Sequence, residues 1–382
     1  MYDFDEIVDR RNTSAVKWNI AQGSDSPPDD YIPMWIADMD FACAPPIIEA
    51  IRRAAGNRIF GYTRPPRDYL ETVCEFYRRR HGFTCSPEQI VFTQGVVSEL
   101  SCAVQTLTEP GDGVIVQPPV YAPFFSAVTG NGRVLLQNRL IYDRGCYMID
   151  FDDLEKRASD PRAKMLIICS PHNPVGRVWT REELEKTADI CLRNGVILVC
   201  DEIHNDLIRG GYRHFSVMEL FHDQSNIVCC TSPGKTFNIS GLGASHCFIP
   251  DPDKRQRISD AVGHVNISPL TVAAVEAAMT SCDDWIDELN AYTDGNFDLF
   301  HELCGSYFPL SVPVRTEGTY LAWLDVSAYT EDTKLLERKI MDECHVNLEC
   351  GDGFGGHGFM RINLACPRRY ISEAAERISK LA

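Results

Sequence analysis

Hydrophobic positions from about residue 88 to residue 250 fall in short β-rich runs separated by amphipathic stretches. This alternation is typical of a mostly parallel sheet covered by helices. The predicted strands are Gln89–Thr93, Gly113–Gln117, Arg133–Gln137, Lys164–Cys169, Gly195–Cys200, Asn226–Thr231 and Ala244–Ile249. The predicted helices are Val97–Leu107, Tyr121–Thr129, Phe151–Arg157 and Arg181–Asn194. We therefore expect an α/β fold with a seven-stranded sheet between helices.

The pattern changes after Pro269. It predicts one long helix to about Leu303, and then strand, helix, strand and helix from Thr319 to Ala382. The N-terminal segment, through about Ala42, has no strong hydrophobic period and is expected to join this C-terminal part. The predicted domains are a large one, residues 46–287, and a smaller α+β one made of residues 1–45 and 288–382.

Composition and charge exclude several classes of protein. Of 382 residues, 44% are hydrophobic and 24% charged, which is ordinary for a globular protein. A net charge of -17 disfavours binding to nucleic acid or to anionic membranes. No apolar run approaches the roughly 20 residues that span a bilayer, and the first residues resemble no signal peptide. The sequence predicts a cytoplasmic protein that binds neither nucleic acid nor membrane.

Sixteen cysteines are scattered along the chain, many of them inside predicted strands. Reduced thiols in the core explain this pattern better than a disulfide framework. No CxxC or HExxH spacing occurs, so no metal site is predicted. The adjacent Cys229 and Cys230 leave a redox role open.

Lys235 follows a predicted buried strand, in a loop of small residues with the sequence TSPGKTFN. A partly desolvated amine in such a loop can be neutral, form a covalent bond to a carbonyl and later act as a base. These are the tasks of the lysine that holds pyridoxal 5'-phosphate (PLP). Taken alone, the motif also fits an ordinary loop lysine.

Polar side chains follow two other predicted strands. Asp201 is the first residue of DEIHNDL and stands at the end of the predicted strand Gly195–Cys200. A carboxylate there can keep a pyridine nitrogen protonated and make the ring an electron sink. Asn173 lies in SPHNPVG and can donate to a ring oxygen. The alternatives are that Asp201 caps a turn and that Asn173 only builds one.

Gly95 joins a predicted strand to a predicted helix. Free backbone N–H groups and the helix dipole favour a phosphate at such a junction, and Ser232 can add a hydroxyl. A plain turn glycine is the alternative.

Together these residues form a recognisable ordered set. The motifs GVVSEL, PVYAPF, SPHNPVGRVWT, DEIHNDL, SPGKTFN and FMRINLACP resemble fold-type I PLP enzymes of the class I/II aminotransferase superfamily. Within it, MWIADMDF, GYTRPP and EGTYLAWLD look like the MalY/PatB branch of cystathionine beta-lyases and cysteine C–S lyases. The resemblance covers nearly the whole chain and implies the PLP-dependent transferase fold and a homodimer.

The resemblance also implies roles for matching positions. Lys235 would be the catalytic Schiff-base lysine, Asp201 would bind the ring nitrogen, Asn173 the ring oxygen, and Tyr121 would stack on the ring. The implied cofactor-binding residues are Gly95, Val96, Val97, Tyr121, Asn173, Asp201, His204, Ser232, Lys235 and, from a second subunit, Tyr62. The implied substrate-binding residues are Arg361, Asn173, Tyr320 and Ala37.

Three positions depart from better-known aminotransferases. His204 replaces a tyrosine beside the ring oxygen and can either hydrogen-bond there or pack against the sheet. Gly234 replaces a second serine, and Gly243 an arginine that contacts phosphate. Phosphate binding is therefore expected to depend more on backbone and on Tyr62.

The implied reaction is β-elimination from L-cystathionine or a related cysteine S-conjugate, which gives a thiol, pyruvate and ammonia. Transamination shares its early steps, and a regulatory binding protein that retains the fold is a third hypothesis. The segment Gly351–Gly356 matches GxGxxG but precedes a strand, so a loop leading towards Arg361 explains it better than a nucleotide site.

Overall fold

The computed structural model describes residues 2–11, 13–19, 27–221 and 225–381. Its strands are β1 Ile32–Pro33, β2 Ile90–Thr93, β3 Gly113–Val116, β4 Val134–Gln137, β5 Ile141–Asp143, β6 Cys146–Met148, β7 Ala163–Cys169, β8 Ile197–Asp201, β9 Ile227–Thr231, β10 Ser245–Phe248, β11 Val312–Pro313, β12 Leu321–Asp325, β13 Val346–Asn347, β14 Glu349–Cys350 and β15 Phe359–Asn363. Its α-helices are α1 Val16–Asn19, α2 Pro45–Ala55, α3 Arg67–His81, α4 Val96–Leu107, α5 Pro123–Thr129, α6 Phe151–Ala158, α7 Arg181–Arg193, α8 Val217–Phe221, α9 Pro233–Thr236, α10 Pro252–Val262, α11 Pro269–Ser281, α12 Asp283–Tyr307, α13 Thr333–Cys344 and α14 Arg368–Ser379.

The seven predicted strands form one seven-stranded sheet in the order β2-β10-β9-β8-β7-β3-β4. The strands β9, β8, β7, β3 and β4 pair in parallel, whereas β10 is antiparallel to both of its neighbours. The central strands are almost continuous apolar runs because both of their faces are buried. The predicted α/β fold with a mostly parallel sheet is confirmed.

Alternate side chains of β7 show how the two faces are covered. Leu166 and Ile168 belong to a core shared with α3, α6, α7 and α11, while Met165 and Ile167 belong to a core shared with α4, α5 and α10. All four side chains are fully buried. Burying a side chain of this size contributes about 1.5–3 kcal/mol, so these faces dominate the stability of the layer structure.

A second sheet is antiparallel, with the order β11-β12-β15-β14, and packs against α12, α13 and α14. The N-terminal segment joins this part of the chain because β1 pairs in parallel with β13 and the Met34 N–H donates to the Asn347 carbonyl at 2.8 Å. The predicted domain boundaries remain a prediction.

The single long helix predicted after Pro269 is wrong, because the chain forms α11 and α12 with a break at Cys282. This residue has φ -128° and ψ 24°, outside the helical range. Asp283 and Asp284 follow in the first turn of α12, where acidic side chains stabilise a helix N-terminus.

All sixteen cysteines carry free thiols. Within the described ranges, no helix combines the length and the apolar character needed to cross a membrane.

Candidate cofactor and substrate site

The carboxyl ends of β2, β7, β8 and β9 meet at one edge of the large sheet, where ligands of α/β proteins bind. A cavity of about 220 Å³ lies there. The predicted site residues that line it are Ala37, Gly95, Val96, Val97, Tyr121, Asn173, Asp201, His204, Ser232 and Lys235. The structure thus brings together residues that are up to about 200 positions apart in the chain.

Lys235 reaches the cavity from the short helix α9. Ser232 caps this helix by accepting a hydrogen bond from the Gly234 N–H at 3.0 Å. The Lys235 ammonium donates to the Ala37 carbonyl at 2.5 Å. Burial lowers the pKa of Lys235 to about 8, against the opposing charge of Asp38. At pH 7 about a tenth of the amine is therefore neutral, far more than for a lysine of ordinary pKa, and a nucleophile or base requires this neutral form.

Asp201 is the last residue of β8 and is buried, with one carboxylate oxygen accepting from the Ile203 N–H at 3.0 Å. Burial raises its pKa to about 7, although this hydrogen bond acts in the opposite direction. A buried carboxylate without a close cation is costly to ionise. A protonated pyridine nitrogen would supply that cation, so Asp201 fits the predicted cofactor.

The N-terminus of α4 also lines the cavity. Gly95 precedes this helix in extended conformation, with φ 172°, and a side-chain carbon placed on it would have no neighbour within 4 Å. The first N–H groups of a helix have no partner inside the helix and favour an anion. Free space beside these groups, at Val96 and Val97, is suited to a phosphate.

The Ser232 hydroxyl is already used inside the protein. It donates to the Ala244 carbonyl at 2.7 Å while its oxygen accepts from Gly234. A contact from Ser232 to phosphate would therefore require this hydroxyl to change its partner.

Arg361 lies in β15 and is buried beside the cavity. Its guanidinium donates to Asn173 Oδ1 at 3.3 Å and to the Trp35 carbonyl at 2.9 Å, and it lies 4.5 Å from the centre of the Phe354 ring. Among the described residues its Nε has no hydrogen-bond partner. A buried guanidinium with unused donor capacity is suited to bind a carboxylate.

His204 and Tyr320 pack edge to face, with ring centres 5.9 Å apart. Burial lowers the pKa of His204 to about 3, and the charges of Lys235 and Arg361 act in the same direction. The imidazole is therefore neutral, and its Nδ1 has no partner among the described residues. Tyr320 is buried and is not among the residues that line the cavity; its ring contacts the His204 imidazole.

Tyr62 does not line the cavity of its own chain. Its side chain is 97% exposed, and the nearby Ile59 and Phe60 are also exposed. A cofactor contact from Tyr62 would have to be made in a neighbouring subunit.

Several residues beside the site were not identified from the sequence. Ile203 lines the cavity, and the Trp35 carbonyl binds Arg361. Glu349 lies beside Arg361, with 3.9 Å between Glu349 Oε2 and Arg361 Nη2. A backbone carbonyl gives no sequence signal, and the pairing of Glu349 with Arg361 depends on a strand register that local sequence does not specify.

The glycine-rich segment after β14 forms a short helical turn, Gly351–Phe354, that carries Phe354 to Arg361. A side-chain carbon on Gly351 would lie 2.3 Å from the Gly356 carbonyl oxygen, so glycine is required there. The segment supports the arginine, as the loop hypothesis expects.

Glu99, Cys230 and Cys247 bring possible metal-ligand atoms within 4.8 Å of one another among the described residues. Burial raises the pKa of Glu99 to about 8, and the hydrogen bond with Cys247 raises the pKa of Cys230. Groups that keep their protons bind metals poorly, so we interpret this cluster as part of the core.

Comparison with known proteins agrees with the resemblance seen in the motifs. The model of the family "Aminotransferase class I and II" matches residues 29–378. Cystathionine beta-lyase PatB of Bacillus subtilis is 42% identical over 98% of both chains, and protein MalY of Escherichia coli is 31% identical over 98% of this chain and 97% of MalY. The structure of cystalysin from Treponema denticola, which contains PLP, superposes with a TM-score of 0.96 at 36% identity, over 100% of this chain and 98% of cystalysin. The chain therefore belongs to the class I and II aminotransferase family.

Proposed function

We propose that this protein is a PLP-dependent carbon–sulfur lyase that eliminates the sulfur substituent of L-cystathionine or a related cysteine S-conjugate, giving a thiol, pyruvate and ammonia. The observation that carries the proposal is the meeting of Lys235 and Asp201 in one cavity, with Arg361 beside it. Relatives that include a cystathionine beta-lyase 42% identical over nearly the whole length support this reaction.

The residues that line the cavity fit both the ring and the phosphate of PLP. Asp201 would hold the ring nitrogen, Asn173 and His204 would face the ring oxygen, and the N-terminus of α4 at Gly95 would hold the phosphate. Tyr121 would lie against the ring. Lys235 would hold PLP until the substrate amine takes its place, and the cofactor would then supply an electron sink for the substrate's α carbon.

Residues of this chain then bind and orient the substrate and move its protons. Arg361 binds the substrate carboxylate in two hydrogen bonds, which orients the α carbon towards Lys235. The Lys235 Nζ takes the α proton, and its lowered pKa of about 8 makes the neutral amine available. The bond from the β carbon to sulfur breaks with its electron pair on sulfur, which takes up a proton as the thiol leaves. Water converts the remaining fragment to pyruvate and ammonia.

We further propose a homodimer in which Tyr62 completes the phosphate site of the partner subunit. The exposed apolar segment containing Ile59, Phe60 and Tyr62 supports an interface there. Mixing Tyr62→Ala with Lys235→Ala chains under conditions of subunit exchange tests this arrangement. Hybrid dimers would contain one complete site and regain activity, whereas an additive or lower activity would contradict it.

Incubation of the purified protein with L-cystathionine, without any added oxo acid, tests the reaction. We expect pyruvate and free thiol in equal amounts, and their loss in Lys235→Ala but not in Lys334→Ala, which changes an exposed lysine. Borohydride should remove the visible absorbance that PLP bound to Lys235 gives the wild-type protein. Exchange between amino and oxo acids without pyruvate would instead identify an aminotransferase.

A further inference from the structure

Glu349 lies beside the guanidinium that is expected to bind the substrate carboxylate. It is the cross-strand partner of Arg361 in the pairing of β14 with β15, so both side chains leave the same face of the sheet. The side chain of Glu349 is 33% exposed and that of Arg361 only 5%. The acid therefore lies towards solvent from the buried arginine.

The geometry differs from that of a structural ion pair. The separation of 3.9 Å between Glu349 Oε2 and Arg361 Nη2 is too long for a hydrogen bond. By contrast, Arg177 makes 2.8 Å contacts with both Glu183 and Glu317. No described residue donates a hydrogen bond to the Glu349 carboxylate, so its charge remains available to a ligand.

The charge of Glu349 also reaches the cavity. Tyr121 lines the cavity, and its pKa is raised mainly by burial. The negative charge of Asp201 raises it further, and that of Glu349 acts in the same direction. Burial raises the pKa of Glu349 itself, while Arg361 lowers it. This carboxylate therefore lies near one cation without a hydrogen bond to it, and a second cation nearby would be stabilised by its charge.

We propose that Glu349 selects substrates by the net charge of the leaving group: it favours a sulfur substituent whose net charge is positive over one whose net charge is negative. This inference rests on the proposed function, because it places the substrate carboxylate on Arg361. Arg361 Nη2 lies 3.9 Å from Glu349 Oε2, so with the carboxylate there a charge at the end of a short sulfur substituent would lie on the order of 10 Å from Glu349. At an effective dielectric constant of about 20, one charge at that distance changes affinity by about tenfold.

Two substrates of similar length provide the first test, S-aminoethyl-L-cysteine and S-carboxymethyl-L-cysteine. We expect the ratio of their kcat/KM values to fall by up to about a hundredfold in Glu349→Gln, because each of the two opposite charges contributes about tenfold. The ratio cancels any effect of the substitution on binding of the α-carboxylate, which both substrates share. Glu343→Gln is the matched control, because it removes an equal charge from an exposed position on α13 and should leave the ratio unchanged.

Binding of compounds without a leaving group provides the second test. Lysine and aminoadipate have the shapes of the two substrates, and calorimetry on the PLP-loaded protein gives their dissociation constants. Preference for lysine should fall in Glu349→Gln by a factor similar to that seen in kcat/KM. An unchanged preference in Glu349→Gln would overturn the role of Glu349 even in an active lyase. Failure of wild-type protein to form pyruvate would instead overturn the proposed function, and the binding preference would still decide the role of Glu349.

Discussion

Replacing Asp201 by asparagine should stabilise the protein without cofactor and weaken the stabilisation that PLP provides. The substitution keeps the shape of the side chain and removes its ability to ionise. Burial raises the pKa of Asp201 from an ordinary value of 3.8 to about 7. In the folded protein without cofactor, ionisation of this group is therefore unfavourable relative to the unfolded chain.

The size and sign of the effect follow from proton linkage. A shift of about three units corresponds to about 4 kcal/mol. Between pH 4 and pH 7 the folded protein binds more protons at Asp201 than the unfolded chain does, so stability falls as pH rises. Below the unfolded pKa the difference disappears. Above about pH 7 the full cost is present, and asparagine removes it.

Thermal unfolding of cofactor-free wild type and Asp201→Asn, measured from pH 4 to pH 8, checks this reasoning. At about 2.1 cal/mol/K per residue, a gain of about 4 kcal/mol corresponds to a rise in Tm of about 5 °C at pH 8. The two proteins should converge near pH 4. Added PLP should raise the Tm of wild type more than that of the variant, because only a carboxylate pairs with the protonated ring nitrogen. A lower Tm of the cofactor-free variant at pH 8 would refute the reasoning.

Three further predictions concern other parts of the site and its support. Gly95→Ala should leave unfolding of the cofactor-free protein nearly unchanged, because a methyl group there meets no protein atom, but it should weaken PLP binding as measured by equilibrium dialysis. Arg361→Lys should lower kcat/KM by about a hundredfold, since a lysine cannot form two parallel hydrogen bonds with the substrate carboxylate. An unchanged KM in steady-state assays would contradict a carboxylate-binding role for Arg361. Lys17→Met should lower the free energy of unfolding by about 3 kcal/mol in denaturant titrations, because it leaves the buried Asp40 without its 2.6 Å partner. A loss below about 0.5 kcal/mol would show that the hydrogen bonds from Arg10 and Trp18 are enough to stabilise the Asp40 carboxylate.

Much of the large sheet could be predicted because each of its strands is an apolar run bounded by turn residues. All seven strands lie within about two residues of their predicted bounds, as the run Ala163–Cys169 illustrates. The N-terminal helices α2 and α3 were not predicted. The break at Cys282 was also missed, since a hydrophobic pattern that continues through a buried cysteine gives no signal for an interruption.

The candidate site was predictable wherever a motif follows a strand. Asp201 ends a strand of the large sheet and Asn173 and Lys235 come shortly after one, and parallel strands bring such positions to one edge. Contacts that depend on the second sheet were harder to foresee. Glu349 becomes a neighbour of Arg361 only through the register of β14 on β15, which local sequence does not specify.

The backbone of residues 35–37 contacts both cationic residues of the site. The Trp35 carbonyl accepts from Arg361, which the small sheet carries, and the Ala37 carbonyl accepts from Lys235, which follows a strand of the large one. Each carbonyl therefore holds one cation of the site in place. A ligand that binds either cation displaces it from a partly buried carbonyl oxygen, which then needs another donor. Filling either half of the site therefore alters a hydrogen bond of the same three-residue stretch.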